Sequence, residues 1–289
     1  AILVAKRVKT KRIFMELHDI WLEYMIDSGK IRPSGFAAKI IKTFYKYLYN
    51  RAEKIFTLWP RMNLYLNQNF NIPLEKVIWT PLGVDFNKTS IPPYRKKSDD
   101  QPFIITCTAR MGPASNIDEI LKSALILKKE SDIGGKIQFH LYGDGPELAN
   151  LIGYKEANNL DNVFFKGLIP KKEIPLRLEE ADVCIAGLPD IPHYARYGTI
   201  PTKLIDYIAS NRPTIFISSI TKDNIIANAG CGFSVLPGRP DLLALTIKKL
   251  YSMSYEERAT LGRNGVEYLK KYHNLDKLSD KLERIFTGG

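Results

Sequence analysis

Residues 198–213, GTIPTKLIDYIASNRP, combine a glycine turn, a helix start, a lysine and an aspartate. A helix that begins after a glycine turn exposes free backbone N–H groups and the positive end of its dipole, an arrangement that binds phosphate. Pro201 suits the first helical position, because the N–H that it lacks would be unpaired there. Lys203 adds a positive charge in that turn, and Asp206 lies on the same side, where it can accept hydrogen bonds from hydroxyl groups. A ribose diphosphate requires these features, although an ordinary helix start in an α/β protein explains them equally well.

Three further groups of polar or small residues follow predicted strands. The run Gly143-Asp144-Gly145 opens a helix, which is weak evidence for a phosphate turn because a tight strand-to-helix connection explains it as well. Arg110 can reach an anion in a crevice, although a surface arginine is the default. His18, beside Asp19, can bind a substrate or move a proton, or it is a structural histidine bonded to a loop. No spaced acidic pair stands at a strand end, so a catalytic metal is not expected.

Composition indicates a globular protein of a reducing compartment. The chain has 289 residues, 45% hydrophobic and 25% charged, which is long enough for two domains. No apolar run approaches the ~18 residues of a membrane span, and no signal-peptide pattern occurs. Cys107, Cys184 and Cys231 lie far apart in apolar stretches, which favours buried free thiols of a cytoplasmic protein over disulfides or a metal site.

Positive charge is concentrated in the first part of the chain. The net charge is +11, and residues 1–60 contain twelve Lys or Arg against five Asp or Glu. Such a basic lobe can face anionic lipid, nucleic acid or an acidic substrate, and a solvated basic face is the commonest explanation. No nucleic-acid motif accompanies it, so nucleic acid is not expected as a partner. With an amphipathic helix predicted over residues 33–50, the lobe is expected to bring the protein to the inner face of an anionic membrane.

Strands and helices alternate along the chain. Strands are predicted over residues 12–17, 54–58, 76–80, 103–109, 136–142, 162–165, 182–186, 214–217 and 232–235. Residues 87–102 carry three prolines and several charges, and this linker separates a domain of residues 1–95 from one of residues 96–289. Regular alternation after the linker implies right-handed βαβ units and a mostly parallel sheet, with ligands beyond the carboxyl ends of the strands. The terminal helices, residues 256–289, are expected to pack back toward the first domain.

Seven segments, in order and in register, together resemble glycosyltransferase family 4, the retaining GT-B enzymes of bacterial surface-polysaccharide and lipopolysaccharide assembly. They are ELHDIW (16–21), PLGVD (81–85), MGPASNIDEIL (111–121), LYGDGPEL (141–148), NVFFKGLIPKKEIP (162–175), EEADVCI (179–185) and YGTIPTKLIDYIASNRP (197–213). The resemblance implies an α/β GT-B fold of two Rossmann-like domains facing a cleft. The N-terminal domain would supply the acceptor side, and the C-terminal domain would hold the nucleotide sugar.

The resemblance also implies a role for each candidate residue. Lys203 and Arg110 would meet the diphosphate, Asp206 the ribose hydroxyls, and His18, with Asp19, the sugar being transferred. The implied donor-binding set is Arg110, Gly112, Gly143, Gly145, Gly167, Leu168, Thr199, Thr202, Lys203 and Asp206. No metal and no cofactor is implied besides the nucleotide-sugar substrate, because a helix dipole and cations can neutralise the leaving diphosphate.

The chain departs from the family pattern at three places. Of the family's two acids separated by seven residues, the second falls on Asp206 and the first is replaced by Gly198, so a carboxylate that would grip the donor sugar is missing. Asn116 stands where many members carry a lysine. The sequence begins just ahead of the His18-Asp19 pair, so the N-terminal domain is expected to be incomplete.

These observations predict a hexosyltransferase-type enzyme that needs no metal. It would move a sugar with retention, by same-face departure and attack, from a nucleotide-diphosphate sugar to a lipid-linked or glycan acceptor. The alternative is a catalytically impaired fragment that binds the nucleotide sugar without turnover.

Overall fold

The computed structural model describes residues 12–98, 100–130, 133 and 135–287. By its contacts the chain divides into two units. Unit 1 consists of Ala1–Leu82, Ile191–Ile200 and Ile220–Asp223, and unit 2 of Gly83–Asp190, Pro201–Ser219 and Asn224–Gly289. The helix-like run at the start of the chain, residues 1–9, lies outside the described residues.

The first division between the units falls at Leu82, before the predicted boundary at residue 95. Backbone hydrogen bonds explain the difference, because Val84 N–H donates to the His273 carbonyl at 2.6 Å and the Val84 carbonyl accepts from Leu275 N–H at 3.0 Å. The linker therefore belongs to unit 2, as do both terminal helices. That these helices also pack toward unit 1 stays a prediction.

Unit 1 is built on a parallel sheet of three strands in the order β1-β2-β3. The strands are β1 (Phe14–Leu17), β2 (Lys54–Thr57) and β3 (Val77–Trp79). Its helices are α1 (Trp21–Asp27), α2 (Phe36–Arg51) and α3 (Met62–Phe70), and the later segment adds α7 (Pro192–Tyr197). The core contains Ile55 of β2 with Met62 and Leu66 of α3, and all three side chains are fully buried.

Unit 2 is built on a parallel sheet of six strands in the order β6-β5-β4-β7-β8-β9. They are β4 (Phe103–Thr108), β5 (Ile137–Tyr142), β6 (Val163–Gly167), β7 (Val183–Gly187), β8 (Thr214–Ile217) and β9 (Gly232–Val235). The strand order reverses between β4 and β7, which makes that point the topological switch of the sheet. All nine strands lie within two residues of their predicted positions, which confirms the mostly parallel α/β arrangement.

Helices cover the second sheet, because strands buried on both faces need apolar neighbours on both sides. They are α4 (Ile117–Lys128), α5 (Leu148–Ala157), α6 (Ile174–Glu179), α8 (Thr202–Ala209), α9 (Ile225–Ala229), α10 (Pro240–Ser252), α11 (Tyr255–Tyr272) and α12 (Leu275–Thr287). Short 3₁₀ turns, Pro113–Ser115 and Lys171–Glu173, precede α4 and α6.

Helix α8 starts one residue later than the sequence predicts. Pro201 is the N-cap, in an extended backbone conformation with ψ 140°, and Thr202 is the first helical residue. The Pro201 carbonyl accepts from Leu204 N–H at 3.0 Å, so the proline still contributes to the first turn. The apolar face predicted for this helix is confirmed, since Leu204, Ile205, Ile208 and Ala209 are all buried.

A buried arginine fixes the end of α8 against the sheet. Arg212 is 1% exposed, and its guanidinium donates to the carbonyls of Ala181, Ser210 and Glu179 at 2.9, 2.8 and 2.6 Å. The guanidinium also lies over the Tyr94 ring, 5.3 Å from its centroid. Five donors in a planar fork allow one side chain to satisfy several carbonyls that would otherwise be unpaired.

Replacing Arg212 with lysine should lower the free energy of unfolding by about 2 to 4 kcal/mol, because one ammonium cannot reproduce the geometry of three buried bonds. Urea denaturation followed by circular dichroism measures the loss. Arg239→Lys, at an exposed ion pair with Asp241, is the matched control and should leave the midpoint unchanged. Equal midpoint shifts in the two variants would contradict the role given to Arg212.

Candidate functional site

The carboxyl ends of β4, β5 and β6 enclose a pocket of about 500 Å³ in unit 2. Its lining comes from the ends of these strands and the start of α6: Thr108, Ala109, Arg110, Tyr142, Gly143, Asp144, Gly145, Leu168, Ile169 and Ile174. The pocket lies at the edge where open parallel sheets bind ligands. Glycine-containing turns after β5 and β6 thus meet the end of β4 at this edge.

Backbone hydrogen bonds continue past the ends of the strands and form the floor of this pocket. Ala109 N–H donates to the Tyr142 carbonyl and Met111 N–H to the Asp144 carbonyl, both at 2.9 Å. Gly143 N–H donates to the Gly167 carbonyl at 2.8 Å. The turns after the three strands are thus joined to one another, which gives a ligand a fixed surface.

Two glycines allow these turns to approach so closely. Gly143 has φ +135°, and a Cβ at this position would lie 1.8 Å from the Ala109 carbonyl oxygen. At Gly145 a Cβ would lie 2.4 Å from the Met111 carbonyl oxygen. Gly112, in contrast, has φ −145° and no atom within 4 Å of an added Cβ, so its lack of a side chain has no steric cause in the structure.

Tyr207 ties helix α8 to the end of β4. Its side chain is fully buried, and its hydroxyl accepts from Thr108 N–H at 2.6 Å and donates to the Thr108 carbonyl at 3.1 Å. Burial raises the pKa of this phenol well above its ordinary value, so the hydroxyl keeps the proton that it donates. Lys203 lies one helical turn earlier on the same helix.

Two cations at this edge are available to an anion. Burial raises the pKa of the Cys107 thiol in β4, and the charge of the Lys203 ammonium partly opposes that rise. Lys203 is half-buried and Arg110 is exposed. Within the described part of the chain neither forms an ion pair, so both charges can meet a diphosphate.

Asp206 faces a second, smaller pocket that adjoins the first. This pocket holds about 130 Å³ and is lined by the linker, α6 and α8, including Thr89, Ser90, Lys171 and Ile174. Ile174 also lines the larger pocket. Desolvation raises the pKa of Asp206 although the side chain still reaches solvent, and the nearby Lys171 ammonium partly opposes the rise.

The predicted catalytic pair stands at the end of β1 in unit 1. The His18 side chain is 59% exposed, and its Nε2 lies 3.0 Å from Glu16 Oε1. Asp19 is also exposed, and one residue, Ile20, separates it from α1. The strand-end position of the pair is as predicted, and its contact with Glu16 was not anticipated.

The segment Ile191–Ile200, which contains Thr199, is held on unit 1 by contacts that the sequence did not reveal. His193 is buried, its Nδ1 lies 2.6 Å from Asp27 Oδ2, and its ring stacks on Trp59 at 5.9 Å. The Arg61 guanidinium donates to the Arg196 carbonyl at 2.7 Å. A buried imidazole oriented by a carboxylate is a familiar catalytic arrangement, but here its clearest effect is to anchor α7.

Gly198 has a steric reason to be glycine. Its φ is +73°, and an added Cβ would lie 3.1 Å from Pro60 Cγ in the same unit. A non-glycine residue would be strained in this left-handed conformation. The backbone conformation at residue 198 therefore favours glycine over the carboxylate residue of the family pattern.

The structure thus brings together part of the predicted donor set. Arg110, Gly143, Gly145 and Leu168 line the pocket, and Gly112 and Gly167 stand next to lining residues in the chain. Thr202 and Lys203 stand at the start of α8 and are not among the lining residues. Asp206 lies in the adjoining pocket, and Thr199 is in unit 1. Among the described residues, no group of three or more His, Cys, Asp or Glu is arranged to hold a metal ion.

Comparison with known proteins identifies the family. Residues 91–268, more than half of the chain, match the family described as Glycosyl transferases group 1. The chain belongs to this family. No curated protein sequence matches it significantly.

Solved glycosyltransferase structures share the fold at low sequence identity. HepE from Anabaena, in complex with UDP, aligns over 99% of this chain and 75% of its own, with a TM-score of 0.76 and 14% identity. Sucrose-phosphate synthase from Thermosynechococcus elongatus aligns over 99% and 70%, with a TM-score of 0.71 and 16% identity. A TarM mutant from S. aureus, solved with fondaparinux, α-GlcNAc-glycerol and UDP, aligns over 85% of this chain with a TM-score of 0.67 and 19% identity. The chain spans 46% of the length of TarM. These likenesses confirm the predicted α/β class of GT-B type.

No described helix is both long enough and apolar enough to cross a membrane.

Gly143→Ala should destabilise unit 2 by at least about 2 kcal/mol, because the new Cβ would collide with the Ala109 carbonyl at a positive φ. Gly112→Ala is the matched control, since it adds the same atom where space is open, and should change stability by under about 0.5 kcal/mol. Denaturation in urea compares the two, and an unaffected Gly143→Ala variant would show that the turns are not in close contact.

Asp206→Asn should make the protein more stable at pH 7. A carboxyl with a raised folded-state pKa binds its proton more tightly in the native chain, so stability falls as pH rises from the ordinary value of 3.8 through the raised value. Asparagine carries no such charge, so its advantage should vanish below pH 3.8. Urea midpoints on both sides of this window measure the effect, and an equal gain at both pH values would exclude the desolvated carboxylate as its cause.

Proposed function

We propose that this chain is a retaining glycosyltransferase of family 4 that transfers a sugar from a nucleotide-diphosphate sugar to a lipid-linked or glycan acceptor in surface-polysaccharide assembly. The family membership supports the transfer reaction. The observation that carries the proposal is the 500 Å³ pocket at the carboxyl edge of the second sheet, whose lining includes Arg110, a cation that forms no ion pair among the described residues. HepE and TarM were solved with UDP, which makes UDP the first nucleotide to test.

In the proposed site the pocket at β4, β5 and β6 holds the nucleotide. Its base and phosphates lie over the turns of Gly143, Gly145 and Gly167, which leave the backbone open to close approach. Asp206, at the junction with the smaller pocket, accepts hydrogen bonds from the ribose hydroxyls. A carboxylate is a strong acceptor, and its partial desolvation strengthens such bonds.

The chemistry proposed at the diphosphate is electrostatic. As the bond between sugar and phosphate breaks, negative charge develops on the leaving diphosphate. Lys203, Arg110 and the N-terminal N–H groups of α8, at Thr202 and Lys203, stabilise that charge without a metal ion. His18 and Asp19 are proposed to act on the sugar and acceptor, with the new bond forming on the face from which the diphosphate leaves.

One observation favours a second candidate, a protein that binds nucleotide sugar without turnover. Gly198 stands in place of a carboxylate, and its positive φ and the contact with Pro60 oppose any side chain there. A protein of this kind would bind UDP-sugar normally and release no UDP in the presence of acceptor glycans. Detection of UDP release with acceptor would exclude it.

Lys203→Ala should weaken binding of a nucleoside diphosphate by roughly 1.5 to 3 kcal/mol, the usual contribution of a hydrogen bond to a charged group. Calorimetric titration with UDP, GDP and ADP measures the loss and identifies the preferred base.

Lys136→Ala is the matched control, because this exposed lysine precedes β5 at the opposite edge of the same sheet. It should bind as the unmodified protein does. Unchanged affinity of Lys203→Ala for all three nucleotides would remove Lys203 from the diphosphate site.

A further inference from the structure

Helix α2 carries a row of apolar side chains that point into solvent. Phe36, Ile40, Phe44 and Tyr47 are 81%, 53%, 56% and 41% exposed. At about 100° per residue the four side chains fall within a sector of about 80°, along about 17 Å of helix. Single exposed hydrophobic residues are common on protein surfaces, but a contiguous row marks an interaction site. We name this row the α2 stripe.

The fold of unit 1 does not use the α2 stripe. The helix is anchored through a different face, on which Ala38 and Tyr49 are its buried residues. The Tyr49 ring packs edge-on against Phe70 of α3 at 5.1 Å and against Tyr45 at 5.8 Å. The apolar side expected from the sequence comprises Phe36, Ile40, Ile41, Phe44 and Leu48. The structure exposes Phe36, Ile40 and Phe44 and leaves Ile41 and Leu48 half-buried.

Cations flank the α2 stripe. Lys39 and Lys46 are exposed side by side on one flank, and the half-buried Lys42 lies next to them. On the stripe itself, the Arg51 guanidinium lies over the Tyr47 ring, 5.1 Å from its centroid. The sequence of the helix, FAAKIIKTFYKYLYNR, contains neither Asp nor Glu. Its surface is therefore apolar along the centre and positive beside it.

We propose that the α2 stripe docks on an anionic lipid bilayer, with the helix parallel to the membrane surface. An aromatic and aliphatic row inserted at the level of the headgroups, with lysines reaching anionic phosphates, is the arrangement of interfacial amphipathic helices. Charge complementarity favours this partner over a second copy of the chain, because two such helices would place like charges against each other. The proposal is independent of the nucleotide pocket, which lies in unit 2.

The test is flotation of the full chain with vesicles of phosphatidylcholine alone and with vesicles that also contain phosphatidylglycerol. The chain should float with the anionic vesicles, bind the neutral ones far more weakly, and be released as salt is raised. Equal binding to both lipids, or no binding to either at low salt, would overturn the proposal.

Two double variants separate the apolar and the charged contributions. Phe36→Ala with Ile40→Ala should reduce the partition coefficient for anionic vesicles about tenfold or more, because the inserted apolar area is lost. Lys39→Gln with Lys46→Gln should reduce it about thirtyfold at low salt, from two surface charges. These side chains are exposed, so circular dichroism should show an unchanged fold.

Matched controls make the same changes in unit 2. Leu236→Ala with Leu245→Ala removes two exposed apolar side chains, and Lys136→Gln with Lys172→Gln removes two exposed charges. Both should bind vesicles within about twofold of the unmodified chain. If the controls lose as much binding as the α2 variants, net charge and nonspecific hydrophobic adsorption explain the result, and the proposal fails. It also fails if light scattering shows a dimer that Phe36→Ala with Ile40→Ala dissociates while no vesicle binding is seen.

Discussion

The backbone of β4, β5 and β6 remains hydrogen-bonded beyond the point where the strands end, and the candidate site depends on this continuity. Bonds from Ala109 to Tyr142, from Met111 to Asp144 and from Gly143 to Gly167 join three turns into one surface. Turns held so closely leave no room for a Cβ at Gly143 or Gly145. The same surface carries Arg110, and the buried hydroxyl of Tyr207 fixes α8 to it through Thr108. A rigid backbone surface that carries Arg110, which forms no ion pair in the described part of the chain, suits a ligand that is rich in phosphate oxygens.

After β7 and β8, the chain leaves unit 2 instead of turning within it. Beyond each of these strands a short segment, Ile191–Ile200 and Ile220–Asp223, belongs to unit 1. Arg61 contacts both segments, through the Arg196 carbonyl at 2.7 Å and Asp223 Oδ2 at 3.6 Å. His193 adds a buried bond to Asp27, and Gly198 passes close to Pro60. The residues just before α8 are therefore positioned by unit 1, whereas α8 itself is positioned by the second sheet.

Local pattern in the sequence was sufficient for the strands and the glycine turns, because each depends on residues that are close in the chain. It was not sufficient for contacts between distant residues. The pair His193–Asp27 joins positions 166 residues apart, and Tyr207 reaches Thr108 across 99, so neither shows in periodicity. Pro201 caps α8 instead of entering it, and Asp206 opens onto a smaller pocket beside the predicted one. In α2, periodicity indicated an apolar side that includes Phe36, Ile40 and Phe44, but it could not show that the helix is anchored by Ala38 and Tyr49 on another face.

A nucleoside diphosphate is proposed to bind at the carboxyl edge of the second sheet, and a crystal structure of the chain with UDP would test this. We expect diphosphate oxygens within hydrogen-bonding distance of Lys203 Nζ and the Arg110 guanidinium, with the nucleotide over the Gly143 to Gly145 turn. UDP bound on the basic surface of unit 1, or in the pocket with its diphosphate directed away from Lys203, would contradict it.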